Sequence, residues 1–490
     1  MAPPKKRDDN WVDGLRGVAS FVVVTGHLLT AFTPYLHSPS TSKEGWPLLL
    51  QLPLFRLCVG GRSAVGIFFL VTGFVNSINP IKNADAGNTE LALTNLAKST
   101  FTRTGRLVFP TNLAATVAWV VCQLGGFNMA RRADAGWIRM VTRYPGPTMW
   151  QAIKGLVRNW TIFWDDAGYT YDPVHWTVVS FLYGAMRIYL TLLATTFVSW
   201  RWRVAICAFL YLFCWCTNDY LIGINIYSGM FIAQLQASLG SRATSTLPKV
   251  IPALLILVGL LVCSFPQDNQ HWTSWSWAMR RLMVSITPAS ADRYISRYWV
   301  NVGCTILMTG IFFSRNARRV LTHPVFNFLG RCSFPVYLLH NTLLRTQLVW
   351  MIYGASAWSP DWDKVKEDGS PIELRRGGVG TFLVTIPVFY VTLYAVAYFW
   401  AEKVDPQCAR AVNWMKDRMF VGEVELGRGD VRLVAVGNGN GNLIGNGNVN
   451  GNAHGRTARE MEKEEELARE LAVLNGGASA SGNGNGNGSV

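Results

Sequence analysis

The chain has 490 residues, of which 50% are hydrophobic and only 15% charged, whereas soluble domains average about 25% charged residues. With 20 Trp and 25 Phe, this composition excludes a soluble globular, a disordered or a disulfide-stapled protein over residues 11–401. The net charge is +15, but the sequence has no nucleic-acid-binding motif, so no nucleic-acid partner is expected. The expected surroundings are a lipid bilayer.

Ten apolar segments approach the length of about 20 residues that a helix needs to cross a bilayer. They are residues 13–33, 57–79, 107–126, 176–198, 203–217, 220–240, 249–265, 298–314, 325–353 and 379–401. The sequence therefore predicts an all-α, polytopic membrane protein with about ten transmembrane helices. An even number of crossings places both termini on the same side.

The loop charges predict which side this is. Residues 1–10 form a basic stub without a cleavable signal peptide, which favours a cytosolic N-terminus in the endoplasmic reticulum or another endomembrane. The short cytosolic loops are then basic, as expected, whereas the loop 127–175 is also basic although it would be lumenal. This loop carries the sequon Asn159-Trp160-Thr161, which predicts glycosylation at Asn159.

The C-terminal part is polar. Residues 402–436 are typical of a short juxtamembrane helix, and residues 437–490 form a Gly/Asn-rich tail that should be disordered. Within the tail, residues 456–474 have the pattern of an isolated amphipathic helix. No chemistry is assigned to this part of the chain.

Charged side chains in the first apolar segment are the first functional candidates, because ionisable groups inside a membrane are costly. Arg16 and His27 are eleven residues apart, which is almost three helical turns, so they share a face with His27 about 16 Å deeper. Asp13 lies near the same face. A snorkelling Arg16 and a His27 that only bonds to a neighbouring helix are the structural alternatives.

Five stretches, in order along residues 11–401, resemble the acyltransferase 3 family of integral membrane O-acyltransferases, closest to its fungal branch. Asp13-Gly14-Leu15-Arg16-Gly17 followed by His27 resembles the opening of that family. The other stretches are Gly66 to Phe74, Arg103 to Pro110, Trp176 to Met186, and Phe328 to His340 with its Ser333, Phe334 and Tyr337.

The resemblance implies transfer of an acyl group, usually acetyl, from acyl-CoA to a hydroxyl. His27 would be the general base, and Arg16, Asp13 and His340 would complete the catalytic group. Arg103 and Arg106 would hold the phosphates of cytosolic acyl-CoA, with their role in setting topology as the alternative. Acetyl-CoA would be a co-substrate, with no bound cofactor and no metal.

The acceptor side is predicted from the start of the fourth segment. His175 and Trp176 lie at its predicted lumenal edge, and Tyr337 is a further candidate. His37 and His271 fall in loops and are interpreted as solvated.

One position departs from the family pattern. Phe181 stands where the family has a Glu after the Trp of the fourth segment, so an acidic orienting group is missing. Asp165, Asp166 and Asp172 precede this segment and could compensate. The acceptor is predicted to be a small secondary metabolite. A cell-surface glycan acceptor, a transporter or exporter on the same scaffold, and a family member that has lost activity remain alternatives.

Overall fold

The computed structural model describes residues 11–161, 171–358 and 372–420, and this part of the chain is built from helices. Its α-helices in chain order are α1 Trp11–Phe32, α2 Gly61–Asp85, α3 Thr89–Gln123, α4 Gly136–Val141, α5 Met149–Trp160, α6 Trp176–Thr195, α7 Trp200–Cys216, α8 Gly223–Leu239, α9 Ala243–Thr246, α10 Val250–Cys263, α11 Ser274–Ile286, α12 Ile295–Phe313, α13 Arg315–Leu321, α14 Pro324–Leu343, α15 Val349–Tyr353, α16 Val379–Phe399 and α17 Asp405–Met419. The one β pairing in these ranges is an isolated bridge between Ala133 and Leu374.

Each of the ten predicted segments coincides with a helix, but the helices differ in length. Five stretches are long and apolar enough to cross a membrane, namely Trp11–Phe32, Gly61–Asp85, Thr89–Gln123, Pro173–Thr195 and Val379–Met419. A sixth arises if α8–α9 and α10, which are bent by 107°, form one broken crossing. The chain is thus an all-α, multi-pass membrane protein, whereas ten crossings stay a prediction.

Short helices explain part of the difference. The 14 residues of α10 span about 21 Å, and the 17 residues of α7 about 26 Å, against a hydrocarbon core of about 30 Å. An apolar run in the sequence does not show whether its helix is straight or broken.

Glycines let the helices that carry the site pack closely. A Cβ on Gly17 of α1 would come within 2.5 Å of the backbone nitrogen of Gly330 in α14, which real Cβ atoms essentially never do. Small residues allow this backbone approach in membrane helix pairs. The α1–α14 contact therefore depends on glycine and fixes the two helices that carry His27 and His340.

Several predicted features lie outside the described residues. These are the stub 1–10, Asp165 and Asp166, the part of the juxtamembrane segment after residue 420, and the tail 437–490 with its amphipathic stretch 456–474.

Candidate active site

The centre of the candidate site is a stack of three aromatic rings. His27 of α1 lies between Trp137 of α4 and His340 of α14, with 5.2 Å between ring centroids on both sides. The planes are tilted by only 23° and 30°. The face of a tryptophan attracts a cation within about 6 Å. A proton gained by His27 would therefore lie against the face of Trp137.

Backbone contacts determine which nitrogen of His340 is protonated. Its Nδ1 lies 3.0 Å from the carbonyl oxygen of Val336 and 2.9 Å from that of Tyr337. A carbonyl oxygen only accepts, so Nδ1 must donate and Nε2 is the unprotonated nitrogen. Nε2 is buried and has no hydrogen-bond partner among the described residues. A ring with a free basic nitrogen thus stacks on His27.

A cavity of about 300 Å³ reaches His27. This volume is at the lower end of the range for small-molecule sites, about 300–1,000 Å³. The wall near the stack is mostly apolar, and the polar groups of the remaining wall come from other helices. The lining includes Val23, His27, Trp137, Val174, Trp176, Thr177 and Tyr337, together with His37, Arg62, Tyr220, Asn225, Arg297 and Asn301.

A buried acid, Asp172, fixes the loop before α6 to α14. Its carboxylate accepts hydrogen bonds from Asn341 Nδ2 and Thr342 Oγ1, both at 2.9 Å, and from the backbone N–H of Val174 at 3.2 Å. The guanidinium of Arg345 lies 3.7 Å away, and both side chains of this ion pair are 0% exposed. Because Asn341 follows His340 directly, this network holds the helix turn that carries the imidazole.

The surroundings of Asp172 keep it ionised. Burial alone would raise the pKa of its carboxyl, but the neighbouring His175 imidazole, the charge of Arg345 and the hydrogen bond from Asn341 outweigh burial and lower the pKa below its ordinary value. Of the three acids considered as substitutes for the missing Glu, Asp172 therefore supplies a buried negative charge next to the stack.

Phe181 occupies an aromatic cluster instead of an acidic position. Its ring centroid lies 4.4 Å from that of Phe69, 6.3 Å from that of Phe68 and 6.5 Å from that of Tyr337. These are ordinary distances for packed aromatic pairs. A carboxylate at this position would have rings as its neighbours.

The three predicted acceptor-side residues do not all reach the cavity. Tyr337 lines it and shares a hydrogen bond with the hydroxyl of Thr177. Trp176 also lines it and is 42% exposed. His175 is fully buried in the packing behind, with its Nε2 3.1 Å from the carbonyl oxygen of Leu338.

The interpretation of His37 as solvated is wrong. Its side chain is only 8% exposed, lines the cavity and places Nε2 2.9 Å from Thr30 Oγ1. The loop folds back on the end of α1, which the sequence around His37 does not show. His271 is exposed, as expected. Asn159 is 1% exposed at the end of α5, which leaves little room for a glycan in the folded chain, and its glycosylation stays a prediction.

The predicted phosphate-binding arginines gather at the other end of α1, away from the stack. Arg103 lies close enough to Arg16 and Arg106 for their like charges to repel one another. Arg16 donates to Asp13 at 3.3 Å, so these two residues pair with each other eleven or more residues from His27. Within the described ranges no carboxylate lies within 4 Å of Arg103 or Arg106. The cluster thus retains positive charge for an anionic ligand.

The structure adds residues that sequence reasoning missed. Trp137 comes from the short helix α4, and its position against His27 depends on how the loop after α3 folds. Arg62 and Arg297 lie 235 positions apart at the starts of α2 and α12, and both line the cavity. No local motif marks any of the three.

These observations define a membrane domain that has a paired-imidazole site next to a small cavity and an arginine cluster towards the other end of α1. Residues 9–401 match the family model described as an acyltransferase domain. The chain therefore belongs to the acyltransferase 3 family. No solved structure matches the chain significantly.

Fungal proteins are among its similar relatives. The O-acetyltransferase PaAT-1 of Phomopsis amygdali is 25% identical over 69% of this chain and 72% of its own length. An acyltransferase of Phoma sp. is 23% identical over 81% of this chain and 94% of its own. The acyltransferase clz18 of Cochliobolus lunatus is 21% identical over 84% and 96%, respectively. The family and these relatives support an acyltransferase.

Proposed function

We propose that the protein is an O-acyltransferase that moves an acyl group, most simply acetyl, from acyl-CoA to a hydroxyl of a small metabolite. The observation that carries this proposal is the position of His27. It is the histidine of the ring stack that lines a cavity, in a chain that belongs to an acyltransferase family.

The chemistry needs a base and a way to stabilise it once protonated. His27 takes the proton of the acceptor hydroxyl as its oxygen attacks the thioester carbonyl carbon. The new C–O bond forms, the C–S bond breaks, and the proton passes from His27 to the leaving thiolate of CoA. In between, the His27 cation lies against the face of Trp137, with the free nitrogen of His340 and the buried charge of Asp172 nearby.

The donor is proposed to bind from the end of α1 that carries Arg16. Arg103 and Arg106 would hold its phosphates, because guanidinium groups bind oxyanions in a bidentate manner and these two lack acidic partners in the described ranges. Acyl-CoA binding there requires this end to face the cytosol, in the endoplasmic reticulum or another endomembrane. The pantetheine arm of the donor would then extend about 16 Å along α1 and place the thioester carbonyl at His27.

The acceptor is proposed to be a small molecule because the cavity is small. A volume of about 300 Å³ suits a metabolite that enters whole. A glycan could present only its terminal residue to such a cavity, so acylation of a surface glycan is the second possibility. The acetyl preference takes its support from the relative described as an O-acetyltransferase.

Metabolite profiling of three strains tests the proposal. One is intact, one lacks the gene, and one carries only His27→Ala, with blotting to show equal protein. We expect an acylated compound to disappear in both altered strains while its free-hydroxyl precursor accumulates. An unchanged compound that merely shifts between cells and medium would instead identify an exporter and refute acyl transfer.

A further inference from the structure

Two arginines line the same cavity as His27. Arg62 is the second residue of α2, and Arg297 is the third residue of α12. Arg62 Nη1 donates to Ser296 Oγ at 2.8 Å, and the Arg297 guanidinium lies 5.3 Å from the ring centroid of Tyr220. Neither contact neutralises a positive charge.

The positive charge of this pair is not compensated by an acid. Arg62 and Arg297 are half-buried and close enough to repel each other. Asp268 also acts on Arg62, but it is exposed and forms no ion pair within 4 Å in the described part of the chain. Two cations and one exposed anion that is not in direct contact with them leave the wall positive.

Helix ends add to this positive field. The first turns of α2, α6, α8 and α12 all contribute residues to the cavity wall. The N-terminus of a helix carries about half a positive charge and unpaired N–H groups. Carboxylates already cap the start of α8, through Asp219, and the turn before α6, through Asp172. The starts of α2 and α12 beside the two arginines make this part of the cavity attractive to an anion.

Unpaired buried acceptors offer a bound molecule places to donate hydrogen bonds. Asn225 is 1% exposed and lines the cavity, and its Oδ1 has no partner in the described ranges. Its Nδ2 donates to Asn301 Oδ1 at 2.9 Å, which fixes the orientation of the amide. His37 Nδ1 is likewise buried and unpartnered at the cavity wall. These acceptors match hydroxyl groups of a bound molecule.

We propose that the acceptor is a hydroxylated carboxylic acid, whose carboxylate binds Arg62 and Arg297 while the hydroxyl to be acylated lies at His27. The inference rests on the proposed function and names its substrate class. A carboxylate matches the planar fork of a guanidinium, and charge-assisted hydrogen bonds of this kind orient a ligand strongly. The cavity has room for one small molecule between these groups.

The test uses membranes that carry the full-length protein, [1-14C]acetyl-CoA, and an extract of the gene-deleted strain, in which the acceptor accumulates. The extract is divided on an anion-exchange resin into a retained, anionic fraction and an unretained, neutral fraction. Membranes with His27→Ala give the background. We expect wild-type membranes to label a product from the retained fraction, and methylation of carboxyl groups with diazomethane to abolish this acceptor activity. Phosphatase treatment should leave it intact, which separates a carboxylate from a phosphate ester.

Substitutions of Arg62 and Arg297 test whether these two arginines bind the carboxylate of the acceptor. With limiting retained fraction, Arg62→Gln and Arg297→Gln should each reduce labelling at least about tenfold, as expected for loss of a charge-assisted hydrogen bond. Arg62→Lys should retain more activity than Arg62→Gln. The matched control is Arg293→Gln, which removes an exposed arginine four residues before Arg297.

Three results would overturn the inference. Labelling from the neutral fraction alone would contradict a carboxylate acceptor while leaving acyl transfer intact. Full labelling by both Gln variants would show that the arginines do not bind the acceptor. If wild-type membranes label nothing in either fraction, acetyl transfer as proposed fails and the inference fails with it.

Discussion

Removal of the negative charge of Asp172 should destabilise the protein strongly. Asp172 and Arg345 are both 0% exposed, with 3.7 Å between the carboxylate and the guanidinium. Asp172→Asn leaves Arg345 buried without a counter-ion, and loss of one partner of a buried ion pair costs about 3–5 kcal/mol. The new amide also faces the donors of Asn341 and Thr342 with one acceptor fewer.

The assay is reversible unfolding of the purified protein by SDS in mixed micelles, followed by tryptophan fluorescence. Glu402→Gln is the matched control, because its pair with Arg331 is exposed and such pairs are worth about 0–1 kcal/mol. The double variant Asp172→Asn/Arg345→Met should cost less than the sum of the single variants, with a coupling of about 2 kcal/mol. A cost for Asp172→Asn no larger than that of the control, or strict additivity, would refute the ion pair as the basis of this stability.

The remaining predictions concern the donor site, the aromatic cluster and pH. In steady-state assays of membranes, Arg103→Gln and Arg106→Gln should raise the KM for acetyl-CoA with little change in kcat. An unchanged KM would show that these arginines do not bind the donor. Phe181→Glu should lower the yield of folded protein on size-exclusion chromatography, because it places a carboxylate among aromatic rings, and a variant with normal yield and higher activity would contradict this. Burial, reinforced by Arg62 and Arg56 and partly opposed by Asp268, lowers the pKa of His37. The unfolded chain therefore binds this proton more readily, and stability should fall as pH decreases from about 6.5 towards the folded pKa. His37→Gln should show a smaller loss of Tm between pH 7 and pH 5 than the wild-type protein, and an identical loss would count against a buried neutral His37.

Local sequence patterns were sufficient to predict the main helices. The first apolar segment was predicted as residues 13–33 and forms α1, Trp11–Phe32, because a long apolar run without proline has few alternatives in a membrane. The broken arrangement of α8–α9 and α10 was not predictable, since the apolar run at 249–265 looks the same in a straight or a bent helix.

The candidate site was only partly accessible from the sequence. His27 and His340 could be predicted because they are polar residues in apolar segments and belong to stretches that resemble the family. In the structure their two rings stack. Trp137, Arg62 and Arg297 could not be found this way, because each becomes relevant only when distant helices meet at the cavity. These three residues come together only in the folded chain, and no spacing in the sequence marks them.

The central claim is that His27 transfers the proton during acyl transfer. The direct measurement compares wild-type protein, His27→Gln and the exposed-histidine control His271→Gln in nanodiscs, with labelled acetyl-CoA and the anionic extract fraction of the gene-deleted strain. Binding of acetyl-CoA is measured in parallel. Loss of a general base costs about 100-fold or more, so we predict that transfer by His27→Gln falls by at least this factor while acetyl-CoA binding and the control remain at wild-type levels. Transfer by His27→Gln within a few-fold of the wild-type rate would contradict a general-base role for His27.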